Sequence, residues 1–125
     1  MIEATEKLVE RIDAVFLPVK NLESSLKWYQ ELFGFKLRWK NERMAGLAVA
    51  SNCGFHLVQV GIHTPNKEYV PFNFATKDIQ KLHQTLKEKG VKVTEVDADT
   101  DFKEMRLFDF WDPDDNIINV IAIET

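Results

Sequence analysis

Few residues in this sequence carry side chains suited to acid–base or ligand chemistry near neutrality, and His56 is the foremost of them. An imidazole titrates close to neutral pH, so it can take or give a proton there, or orient a ligand through one hydrogen bond. No carboxylate stands at an obvious position to orient it, which leaves two readings of His56: a base or donor facing a cavity, or a structural histidine bonded to a nearby carbonyl. Asn119 is open in the same way, as an amide for a ligand or for His56, or as a satisfied core amide. His63, in a polar connector, and His83, on a helical stretch, read as solvated. Cys53 is the single cysteine; it excludes an intramolecular disulfide, and in a turn with no activating base beside it the thiol reads as inert. The acidic stretch Asp97 to Lys103, DADTDFK, lacks the glycine and closing glutamate of an EF-hand and reads as a solvated loop.

The aromatic residues say more. Three tryptophans in 125 residues exceed what packing alone demands, and Trp39 and Trp111 fall near strand ends. With Phe16, Phe108 and Phe110 they supply rings to line or rim a cleft. A cavity walled by rings, with a few polar groups to fix the pose, suits a flat and partly apolar guest. The net charge of −4 disfavours nucleic acid and anionic membrane as partners, because both need a basic face. No basic-then-apolar leader and no long apolar run is present, so a soluble, cytoplasmic protein is expected.

The elements that position these residues are legible from Arg11 to Leu37, RIDAVFLPVKNLESSLKWYQELFGFKL. Ile12, Val15, Leu17 and Val19 mark a strand, with Ala14, Phe16 and Pro18 on its other face. Asn21 is a helix N-cap, Leu22, Leu26, Tyr29 and Phe33 form one helical stripe, and Gly34 ends it. Strands are expected at 35–39, 45–50 and 55–60, with Asn52-Cys53-Gly54 as a turn. The unit then recurs: Asp78 stands 57 residues after Asn21, and Gly90 stands 56 after Gly34. Between them Ile79, Leu82 and Leu86 make the second stripe. Strands are expected at 91–96, 104–110 and 117–123, with Asp112-Pro113-Asp114-Asp115-Asn116 as a tight turn. An internal repeat at half the chain length implies two similar packed modules, about 11–62 and 69–125, in one domain of 11–125. Residues 1–10 read as a short helical N-terminal arm.

Two βαβββ modules with VKNLESSLKWYQELFGFKL in the first and DFWDPDDNIINVI in the second resemble the vicinal oxygen chelate superfamily, which includes glyoxalases, bleomycin- and fosfomycin-resistance proteins and extradiol dioxygenases. The resemblance covers about 11–124 and implies an α+β fold in which paired half-barrels surround a central cleft. It also implies where a divalent metal would be held in the metal enzymes: the four positions fall on Ala14, His56, Pro71 and Asn119. Alanine and proline side chains cannot coordinate, so no metal and no other cofactor is expected.

The expected function is therefore a metal-free binding protein that sequesters or senses an aromatic or amphipathic small molecule, similar to the drug-sequestering members, with His56, Asn119, Phe16, Trp39, Phe108 and Trp111 at the ligand. The alternatives are a lyase or isomerase with His56 as acid/base or with an atypical metal site, and a structural or protein-interaction module. A homodimer is compatible with the resemblance, since members pair their modules within one chain or across two.

Overall fold

A computed structural model describes residues 6–97 and 105–123. The chain divides into two compact units, Met1–Gln59 and Val60–Thr125, each with one helix packed on one open sheet. This is an α+β architecture of two βαβββ-type units, although in the second the strand that follows the helix is reduced to isolated bridges.

The first unit holds β1 (Ala14–Val19), α1 (Leu22–Phe33), β2 (Lys36–Lys40), β3 (Met44–Ala50) and β4 (Cys53–Gln59), in the sheet order β1-β4-β3-β2. β1 runs parallel to β4, and the other pairs are antiparallel. The Asn21 side chain accepts the Ser24 N–H at 2.9 Å, satisfying one of the orphan donors at the helix start. Gln59 at the end of β4 accepts the Leu22 N–H at 2.8 Å, which ties the helix entry to the sheet. At the far end Gly34 has φ 71° and its N–H donates to the Gln30 carbonyl at 2.9 Å, a left-handed cap that glycine adopts without strain. Leu22, Leu26 and Tyr29 are buried against Leu17, Val19, Leu47, Phe55 and Leu57. Phe33 and Phe35 continue this core as a stacked pair with centroids 5.2 Å apart. Ile12 does not join the stripe. It is 85% exposed, because its even number places it out of phase with Val15, Leu17 and Val19.

The second unit holds β5 (Asn73–Thr76), α2 (Ile79–Glu88), β6 (Leu107–Trp111) and β7 (Ile117–Ala122), in the order β5-β7-β6. Asp78 caps α2 by accepting the Lys81 N–H at 3.1 Å, and Gly90, φ 80°, follows the helix end. Ile79, His83 and Leu86 face Phe108, Phe110, Ile118 and Val120, all buried.

Three expectations are corrected here. Residues 91–96 form no regular strand: ladder pairing with β6 is reduced to the isolated bridges Val93 to Phe110 and Asp97 to Leu107. Thr94 explains the interruption, since its hydroxyl accepts the Asp109 N–H at 2.9 Å while its carbonyl turns to the His83 Nε2 at 2.9 Å, diverting it from the ladder. His83 is consequently buried rather than solvated, its ring edge-on to Phe108. In the arm, residues 6–10 are exposed and not helical: Leu8 and Val9 are 77% and 74% exposed, so no buried stripe supports a helix. The loop 98–104 lies outside the described residues.

Candidate functional site

The sequence-expected residues separate by unit. In the first, Phe16, His56, Gly46 and Trp39 occupy one cross-strand row: Phe16 pairs with His56, His56 with Gly46, and Gly46 with Trp39. This row lies on the face of the sheet opposite α1. Phe16 and Trp39 meet the His56 ring edge-on, with centroids at 4.9 and 5.0 Å, and they stay 58% and 40% exposed. Two local features place Trp39 there. A register shift between Leu37 and Trp39 inserts Arg38 as a bulge, which flips the alternation and turns the indole away from the helix side. Gly46 then leaves room for it, because a Cβ at that position would collide with the indole. Sequence reasoning missed Gly46, and the signal was a glycine inside an apolar strand.

His56 is half-buried, and its Nδ1 is buried with no hydrogen-bond partner among the described residues. Burial lowers its pKa from the usual 6.5; the Asp13 carboxylate opposes that shift and the Arg38 guanidinium adds to it, so the ring is neutral near pH 7. The Nε2 side leans over Gly54, where a Cβ would lie 3.0 Å both from Nε2 and from the Ala14 methyl. Ala14 and His56, two of the four metal positions implied by the family resemblance, are thus neighbours around the same glycine. One presents only a methyl group.

In the second unit Asn119 sits in the equivalent row, paired with Asn73 on one side and Asp109 on the other. Its amide donates to Asp109 Oδ1 at 2.9 Å and to the Phe108 carbonyl at 3.3 Å, so it is held by its own sheet. Pro71 precedes β5 and offers no donor. Among the described residues no three of His, Cys, Asp and Glu are grouped as metal ligands, and the donor set Ala14, His56, Pro71 and Asn119 does not fit a divalent ion. Phe108, expected at the ligand, is fully buried against His83 and belongs to the helix-side core with Phe110. Trp111 faces the other way and lines a cleft of about 670 Å³ formed with residues 65–70, Lys92, Asp115 and Ile117. His63 is half-buried rather than solvated, with Nε2 buried and unpartnered among the described residues. Cys53 is exposed at the start of β4.

The turn Asp112 to Asn116 is organised by a buried carboxylate. Asp112 Oδ1 accepts the N–H groups of Asp114 and Asn116, each at 2.9 Å, and Oδ2 accepts the Asn116 amide at 3.0 Å. Asp115 follows the bend with φ 62°, the single non-glycine residue with positive φ among the described residues.

Residues 11–120 match the model of the Glyoxalase/Bleomycin resistance protein/Dioxygenase superfamily. The chain belongs to that superfamily. Its fold agrees with solved members: a superfamily protein from Sphaerobacter thermophilus superposes with TM-score 0.81 at 20% identity, over 94% of this chain and 100% of that one. A glyoxalase family protein from Enterococcus faecalis gives 0.77 at 20% identity, covering 92% and 99%. TnmS3, an antibiotic binding protein from Streptomyces sp. CB03234, gives 0.78 at 23% identity, covering 94% and 98%. None of the curated proteins matches the chain. Among the described residues, no helix of this superfamily member is long and apolar enough to cross a membrane.

Proposed function

We propose that this protein is a metal-free small-molecule binding protein, which holds an aromatic or amphipathic guest against the open face of the first unit through Phe16, His56 and Trp39. The observation that carries this reading is the row itself. Two large rings remain about half exposed on either side of a partly desolvated histidine, and a glycine is spent to let one of them lie down. Exposed rings in a contiguous row gain about 25 cal/mol per Å² of apolar surface when a flat guest covers them, and a polar atom of the guest can satisfy His56. A neutral imidazole offers one donor and one acceptor, which suits a hydroxyl, carbonyl or amide on the guest. TnmS3, a neighbour of the same fold, is an antibiotic binding protein, which supports a small-molecule guest. Catalysis by His56 is less well supported, since among the described residues no hydrogen bond to Nδ1 fixes its tautomer as an acid/base pair requires.

The test is a thermal-shift screen of planar aromatic compounds, followed by titration of indole fluorescence. A binder should raise the melting temperature and change the Trp39 signal saturably. His56→Ala should weaken it by about 1–3 kcal/mol as a lost buried hydrogen bond. Gly46→Val should also weaken it, by displacing the indole. A screen in which no compound raises the melting temperature would overturn the reading in favour of a structural or interaction module. One stoichiometric ion per purified chain, bound through His56, would overturn its metal-free part.

A further inference from the structure

The cleft of the second unit is not used by that reading, and its lining has a chemistry of its own. It measures about 670 Å³, within the range of small-molecule sites. Trp111 supplies the aromatic wall and Tyr69, 67% exposed, a phenol at the rim. Four charged residues complete it, two of each sign: Lys67 and Lys92, Glu68 and Asp115. Among the described residues none of the four is in an ion pair. The Lys92 ammonium lies instead over the Trp111 ring, 4.5 Å from its centroid, held by the π-face rather than by a carboxylate.

The walls are fixed by their own hydrogen bonds. Asn66 accepts the Glu68 N–H at 3.0 Å and donates to the Tyr69 carbonyl at 2.9 Å, which locks the connector in a turn. On the other side, the Trp111 backbone N–H donates to the Lys92 carbonyl at 3.1 Å, and the left-handed Asp115 is set by the turn built on Asp112. We infer that this cleft is a second binding site, selective for small aromatic zwitterions of the amino-acid type, with the ring against Trp111, the carboxylate at Lys92 and the ammonium at Asp115. A guest of one sign meets two attracting and two repelling charges within one cleft, so its electrostatic gain largely cancels. A guest bearing both signs can turn each end toward its opposite, and the aromatic wall orients it for that.

The experiment uses the full chain and three probes sharing one ring: L-phenylalanine, 2-phenylethylamine and 3-phenylpropanoate. Binding is read from the three indole N–H resonances, assigned by single Trp→Phe variants. Phenylalanine should shift the Trp111 resonance saturably and bind at least about tenfold more tightly than either single-charge probe. Lys92→Gln should erase its advantage over phenylethylamine. Asp115→Asn, which keeps a residue tolerant of positive φ, should erase its advantage over phenylpropanoate. Equal affinity of the three probes, no shift of Trp111 with any of them, or a preference unchanged in both variants would overturn the inference. Trp39→Leu should leave phenylalanine affinity within about twofold, so the two sites fail or stand independently.

Discussion

Phe16, His56 and Trp39 stand in one row on the open face of the first sheet, and the same register of the second sheet carries Asn73, Asn119 and Asp109. One row offers two exposed rings around an imidazole nitrogen that has no partner among the described residues; the other closes on itself through the Asn119 to Asp109 hydrogen bond. On the helix side the units differ much less. Leu22 corresponds to Ile79 and Tyr29 to Leu86, and all four are buried. The repeat therefore constrains the face that packs a helix, where volume must be conserved, and leaves the other face free to diverge, with exposed rings around a histidine in one copy and a hydrogen-bonded amide and carboxylate in the other. The exception on the helix side is His83, which fills the place of Leu26 and requires the Thr94 carbonyl as its partner.

The largest effects should come from the shared core. Leu26→Ala and Leu86→Ala should each lower the free energy of unfolding by about 2–5 kcal/mol in a denaturant titration, since both side chains are buried among apolar neighbours. Near-neutral values at both positions would break the equivalence of the helix faces. His83→Leu sharpens the comparison. A leucine is what the first unit uses there, yet the change should still cost about 1–3 kcal/mol by leaving the Thr94 carbonyl without its partner. A stabilising His83→Leu would mean that the histidine is not needed to hold residues 91–97 in their irregular path.

The helix-side core was legible because its signals are local. Asn21, Asp78, Gly34 and the apolar spacing of each helix act within one or two turns, and the structure uses them as caps and stripes. The open face was harder to read. In Leu107-Phe108-Asp109-Phe110-Trp111 both parities are apolar apart from Asp109, so sequence alone does not say which rings face the helix, and Phe108 lies on the helix side against His83. Trp39 reaches the open face through the Arg38 bulge, an event that simple alternation from Phe35 does not foresee. His83 reads as solvated in sequence because its partner lies 11 residues further on, in a segment that reads as a regular strand.

The turns before β4 and β7 also differ, and the effect on stability is modest. Ala50 pairs with Cys53 across Ser51 and Asn52, a two-residue loop without positive φ. The second unit instead needs a left-handed residue and has Asp115 there, φ 62°. Left-handed backbone costs an L-residue about 1–2 kcal/mol, less for aspartate, while glycine loses about 0.5–1 kcal/mol in added unfolded-state freedom. Asp115→Gly should therefore raise stability by up to about 1 kcal/mol, measured as a small increase in melting temperature. A loss of stability would show that the Asp115 side chain supports the turn beyond its backbone.

The smallest expected effect separates the two rows by pH. His56 has its pKa lowered below 6.5 chiefly by burial, so in the window between that lowered value and 6.5 the unfolded chain holds a proton that the folded chain does not. Stability must then rise with pH through this window and level off above it, and acidification must remove the contribution as pH falls through the folded-state value. His56→Gln should flatten this step. The charges that face the ring give the comparison a sign: Arg38→Gln removes a cation and should lift the His56 pKa, while Asp13→Asn removes the opposing anion and should lower it further. Titration of the His56 ring protons by NMR reads both shifts directly. An unchanged His56 titration in both variants would mean that burial alone, without these two charges, sets the protonation state of the ring.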